Sequence, residues 1–180
     1  GAAGMAITVT HISAATAALT WMTIEWMSHG KPTLVGIATG AIAGLATITP
    51  ASGFVGPVGA IIIGVLAGFV CYKMCGIIKN KWKIDDALDV MAVHGIGGVL
   101  GILLTAPLGS LAFGGLGLSE KTIGEQFITQ SIGVIAVGLW CLVATWLITL
   151  LVKKTIGLRV TEDEEIEGLD TSIHGEKGYN

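Results

Sequence analysis

Long apolar runs separated by short polar breaks dominate the chain. A bilayer core of about 30 Å asks for about 20 apolar residues of helix. Five stretches meet or approach that length: Met5–Met27, Thr33–Thr49, Val55–Ile78, Ala87–Leu108 and Ile123–Val152. The second is short and rich in glycine. The fifth is long enough to cross with tilt and emerge on one side. Pro50 and Pro57 around one turn, and Pro107 near the end of the fourth stretch, read as helix ends. The pattern predicts an all-α polytopic membrane protein with five transmembrane helices.

The breaks between the runs carry the orientation. Lys31 follows the first run. Lys73, Lys79, Lys81 and Lys83 lie at the junction of the third and fourth. Lys153, Lys154 and Arg159 follow the fifth. The alternate breaks, Pro50–Phe54 and Gly109–Thr122, offer only Lys121. The positive-inside rule then predicts a multi-pass protein of the cell (plasma) membrane, with its lysine-rich junctions and its C-terminus cytoplasmic and the end at Gly1 outside.

Composition agrees with that class. The chain has 180 residues, of which 52 % are hydrophobic and 13 % charged, about half the charged share of a soluble domain. A soluble or nucleic-acid-binding protein is thereby excluded. The net charge of −3 describes the end of the chain. Seven of the 13 acids lie within Thr161–Asn180, and the remaining body is slightly basic. The organisation expected is a transmembrane region over 1–157 and a cytosolic tail over 158–180. The opening Gly1, with neither an initiator Met nor a charged leader, suggests a processed or truncated start.

Glycines recur four apart: Gly36, Gly40 and Gly44, then Gly64 and Gly68, then Gly97 and Gly101. Such stripes let helix backbones approach closely. Cys71, Cys75 and Cys141 stand in apolar segments without metal-type spacing and read as small buried residues. There is no nucleophile set, phosphate loop or metal cluster, so neither an enzyme nor a cofactor is implied.

Ionisable groups at membrane depth are costly, so the few present are candidates for function. His94 is the sharpest, lying among apolar residues and glycines. A neutral imidazole there is either a satisfied core group or a conduction-path residue able to donate and accept one hydrogen bond. Asp89 reads as a first-turn carboxylate held by the free N–H groups of the fourth helix, or else as a direct participant in the cation path. Asp85 and Asp86 read as interfacial charges and cap candidates, with Asp86 also suited to a cytoplasmic vestibule. His11 reads as a polar packing residue of the outer half or as a relay member. Glu25 either reaches the interface or pairs with Lys31.

Several segments, taken together, resemble Amt/Mep ammonium transporters. They are Asp89-Val90-Met91-Ala92-Val93-His94-Gly95-Ile96-Gly97-Gly98, Gly30-Lys31-Pro32-Thr33, Gly40-Ala41-Ile42-Ala43-Gly44-Leu45, Thr49-Pro50-Ala51 and the tail from Gly157-Leu158-Arg159-Val160 to His174-Gly175-Glu176. The resemblance implies helices seven to eleven of an eleven-helix, inverted-repeat bundle, assembled as a homotrimer, with the N-terminal half of the transporter lying outside this chain. It makes His94 the second member of a twin-histidine site in the pore. Val90 and Ile42 become lumen-lining, Thr39 and Asp86 belong to the cytoplasmic vestibule, and Asp89 is a structural acid. The implied substrate is ammonium or ammonia, and a PII-type regulator is the implied partner at the cytosolic face. An ammonium sensor signalling through the tail is the alternative. The tail is expected to be ordered, its acids meeting Lys79, Lys81 and Lys83, with Thr171 or Ser172 as a modification site.

Overall fold

The computed structural model describes residues 1–118 and 120–178. Part of the tail expectation, at Tyr179 and Asn180, therefore lies outside the described residues. The chain divides into two units, Gly1–Val134 and Ile135–Asn180, each taken here by itself.

The first unit is built on α1 (Ala2–His29), α2 (Leu34–Ile48), α3 (Pro57–Gly76) and α4 (Gly97–Leu108). A wider π-helical turn, Ile77–Lys81, continues α3, and another, Met91–Ile96, leads into α4. α5 (Ile123–Thr155) begins in this unit and continues into the second. Four helical spans among the described residues are long and apolar enough to cross a membrane: Ala2–His29, Pro57–Lys81, Met91–Leu108 and Ile123–Thr155. The fifth expected span, α2, has 15 residues. At 1.5 Å per residue it is about 22 Å long, short of the apolar core of a typical bilayer.

Helix α1 packs against both α2 and α3, and α2 against α3 and α4. Its inner stripe, Val9, Ser13, Ala17 and Trp21, is buried. In lipid, burying an apolar side chain between helices gains little over leaving it among acyl chains, so close fit decides the packing. The glycine stripes supply that fit. A Cβ at Gly44 would lie 2.5 Å from the Ser13 carbonyl oxygen, and one at Gly64 would lie 2.6 Å from the same atom. The Ser13 hydroxyl also donates to the Gly44 carbonyl at 3.0 Å. One residue of α1 is thus wedged between two glycines on two helices.

Local chemistry sets the helix ends. Gly30, at φ 77°, closes α1 in the left-handed conformation that glycine adopts without strain. The Thr33 hydroxyl accepts from Gly36 N–H and caps α2. Glu25 accepts from Thr33 N–H at 2.8 Å and also bonds the Thr33 hydroxyl, so it ties the end of α1 to the start of α2. Of the two alternatives left open for Glu25, neither the interface nor Lys31 supplies the partner seen; the cap residue Thr33 does. The loop after α4 folds back on the turn after α2, with Leu116 N–H donating to the Phe54 carbonyl at 2.9 Å.

In the second unit, α5 ends at Thr155 and a short helix, α6 (Glu162–Glu167), follows. Thr161 and Glu164 form a reciprocal capping box at its start. Arg159 grips the Glu165 carboxylate through two nitrogens, at 2.8 and 2.7 Å. These bonds to the charged form hold both glutamates below the ordinary carboxylate value. The Thr161 hydroxyl and N–H act on Glu164, and the Arg159 guanidinium acts on Glu165. The acidic run is therefore locally helical. Cys71 is buried as expected of a small core residue, whereas Cys141 on α5 is exposed.

Candidate functional site

The segment from Asp86 to Gly101 carries most of the candidate chemistry. It starts later than the apolar pattern predicts. Residues 87–88 form a turn, and the helix begins at Val90 rather than Ala87. Asp89 has φ 56°, the left-handed region that a non-glycine residue seldom enters and that Asp tolerates better than most. The chain changes direction at this residue.

That kink reassigns the two acids. Asp86, not Asp89, caps the helix, its two carboxylate oxygens accepting from Val90 N–H at 2.8 Å and Met91 N–H at 2.9 Å. The left-handed backbone at Asp89 turns its carboxylate toward α3, where Lys79 Nζ lies 2.8 Å away. Lys79 is thus the ion-pair partner of Asp89.

His94 lies within the π-helical turn Met91–Ile96. Such turns arise mostly as single insertions in α-helices and are frequent at functional sites. Its neighbours Ala92 and Val93 are buried, Val93 packing in a cluster with Trp21, Ala43 and Cys71. His94 itself is exposed in this chain, as is Val90 one turn before it, at 52 %. Beyond the turn, α4 is pinned by two glycines. A Cβ at Gly97 would lie 2.8 Å from the Thr47 hydroxyl oxygen, and one at Gly101 would collide with the Thr47 carbonyl.

Helix α2, which carries Thr39 and Ile42, packs against the His94 turn. Ile42 is 46 % exposed and belongs to an outward stripe with Val35, Ala38, Leu45 and Thr49. The Thr39 hydroxyl donates to the Val35 carbonyl of its own helix at 2.9 Å. His11 is exposed in this chain beside an open recess formed by Ala6, Ile7, Thr10, Ala14 and Leu45. Among the described residues no cluster of His, Cys, Asp or Glu could hold a metal ion.

The model of the Ammonium Transporter Family matches residues 1–179. The chain belongs to this family. Among its relatives, the ammonium transporter of Aquifex aeolicus is 45 % identical over 178 residues, covering 99 % of this chain and 42 % of the relative. A solved structure described as a sensor Amt protein superposes with a TM-score of 0.85 and 33 % identity, over 94 % of this chain and 42 % of the other. The crystal structure of Saccharomyces cerevisiae Mep2 gives a TM-score of 0.77 and 33 % identity, over 90 % and 39 %. The chain therefore spans about two-fifths of the length of the proteins it matches. It is an all-helical membrane protein whose four long apolar helices match part of the Amt/Mep fold, in a family of transporters rather than enzymes.

Sequence reasoning finds His94 because a histidine among apolar residues stands out. It misses Lys79, which as one of four lysines at a helix junction carries only a topological signal. The ten-residue separation of Lys79 from Asp89 has no helical periodicity to mark the pair.

Proposed function

We propose that the chain is the C-terminal part, helices seven to eleven, of an eleven-helix inverted-repeat transporter that moves ammonium or ammonia across the plasma membrane. The observation that carries the reading is the outward face of the His94 turn. An imidazole and an apolar Val90 share an exposed strip on an otherwise closely packed helix pair. In the complete protein this strip lines the lumen, with Ile42 contributing from α2.

The physical case rests on charge. A bare cation is costly in an apolar passage, whereas neutral ammonia is not. Ammonium binds outside, gives up its proton and crosses as ammonia. His94 and a second imidazole form the twin-histidine site that guides the solute and relays the proton. Thr39 and Asp86 belong to the cytoplasmic vestibule, and Asp89 is the structural acid behind them. Residues 1–157 form the membrane region and 158–180 the cytosolic tail, with the lysine-rich junctions on the cytoplasmic side. The transporter is a homotrimer in the lipid bilayer, and a PII-type regulator meets its cytosolic face.

Ammonium-driven current and uptake in proteoliposomes holding the complete transporter test this reading. His94→Ala lowers the rate or alters its ion selectivity while the amount of assembled protein stays the same. Unchanged uptake and selectivity overturn it. A second reading, an ammonium sensor that signals through the tail, is favoured by the likeness to a sensor Amt protein. Saturable ammonium binding with no uptake by the parent protein would support that reading over transport.

A further inference from the structure

We propose that Lys79 is a positioning residue. Through its ion pair with Asp89 it fixes the entry of the helix that carries His94, and so the place of the imidazole in the conduction path. This rests on the reading of His94 as a pore residue.

The pair stands at an unusual junction. Its two partners come from the π-helical turn that ends α3, Ile77–Lys81, and from the residue just before the helix that holds the second such turn, Met91–Ile96. The connection between them turns at two left-handed non-glycine residues, Lys83 at φ 58° and Asp89 at φ 56°. Left to itself, a residue in that conformation relaxes toward the right-handed side. The Asp89 carboxylate is held at the end of α3 by Lys79 Nζ at 2.8 Å. The side chains are 39 % and 20 % exposed, so the bond is neither fully solvated nor fully buried. Removing either partner leaves the other charge partly desolvated and unpaired.

His94 lies between this anchor and a second one. Five residues before it, Asp89 is tied to α3. Three residues after it, Gly97 sits against Thr47 of α2. Asp86 accepts from the N–H groups of Val90 and Met91, where this turn begins. A π-helical turn is an uncommon and less regular geometry, so it depends on its surroundings for its shape. With the far end pinned by glycine contacts, loosening the near end lets the turn tighten toward ordinary α-helix. That rewinding rotates His94 about the helix axis and away from the strip it shares with Val90. The Lys79 side chain need not touch the solute for this effect.

The experiment measures ammonium uptake by the complete transporter in proteoliposomes, per inserted protein, as a function of ammonium concentration. Lys79→Met removes the cation and keeps the stem. Asp89→Asn removes the charge and keeps a residue suited to left-handed backbone. Each lowers the maximal rate between about tenfold and about a hundredfold, the scale of a misplacement near 1 Å, with the half-saturating concentration unchanged. The double variant is no worse than either single one, because both break the same bond. Lys79→Arg restores most of the rate. A maximal rate within about twofold of the parent in Lys79→Met, additive losses in the double variant, or no rescue by Lys79→Arg overturns the proposal. His94→Ala is measured alongside. If it leaves uptake and selectivity intact, the pore reading itself fails. If it impairs uptake and Lys79→Met does not, only the positioning role fails.

Discussion

Replacing Gly44 by alanine tests the wedge that holds α1, α2 and α3 together. The new Cβ would lie 2.5 Å from the Ser13 carbonyl oxygen, 2.7 Å from Ala17 Cβ and 2.9 Å from Ala14 Cα. Ordinary contact begins near 3.4 Å, so the two backbones must part by roughly 0.9 Å. No flexible side-chain tip can yield instead, since the first obstacle is main chain. Nor can α1 simply retreat, because the same Ser13 carbonyl abuts Gly64 on α3. Overpacking of this kind costs about 1–3 kcal/mol. Stretching the Ser13–Gly44 hydrogen bond adds about 0.6 kcal/mol, the average for such bonds in membranes. Alanine regains up to about 1 kcal/mol of helix propensity. The net loss is on the order of 2 kcal/mol, or about 4–8 °C in melting temperature for a domain of this size. A thermal-shift assay in detergent, read by loss of the monodisperse elution peak, measures it. Gly4→Ala, at a position of α1 with nothing within 4 Å in this chain, serves as the control and melts with or slightly above the parent. A Gly44→Ala protein that melts no lower than that control would refute the wedge.

Three further outcomes follow from other parts of the chain. The lowered acidities of Glu164 and Glu165 favour the folded tail while both are ionised. Their contribution is in place above the ordinary value of 4.5 and is lost as pH falls through the lowered folded values. Amide exchange over residues 161–168 should therefore stay slow from neutral pH to about pH 5, after correction for intrinsic rates, and quicken below 4.5. Protection that does not change with acid counts against the capping box. Glu25→Ala strands the Thr33 N–H and loosens the joint between α1 and α2 at a cost of about 1 kcal/mol, seen as a lower melting temperature. Lys31→Ala at the neighbouring charge leaves that temperature within about 1 °C, and equal effects of the two would reject the assigned partner. Residues 1–180 alone, reconstituted in liposomes, show no selective ammonium uptake, because the face of His94 lacks an opposing wall. Selective uptake by this segment would contradict that geometry.

The apolar runs and the glycine stripes were readable because each expresses one local constraint. Run length reports the thickness to be crossed, and small residues four apart report a close neighbour on one face. Thr47 could not be foreseen as the wall against Gly97 and Gly101, since a stripe does not name what fills it. The helix leading into α4 starts three residues later than the apolar pattern predicts, because hydropathy does not register the left-handed backbone at Asp89. The same blind spot gave the free N–H groups to Asp89, whereas Asp86, itself a cap candidate, takes them. Both are acids just ahead of a helix, and only the direction of the chain decides which meets the free N–H groups. Glu25 shows the limit in another form. Lys31 has the complementary charge, but Thr33 offers two donors on a backbone already fixed as a cap.

The most direct test of the account is the position of His94 in an experimental structure of the complete transporter. Its imidazole is expected in a narrow lumen beside Val90 and Ile42, within hydrogen-bond reach of a second imidazole from the N-terminal half. A His94 ring that faces lipid, or a lumen with no second histidine near it, would contradict the account.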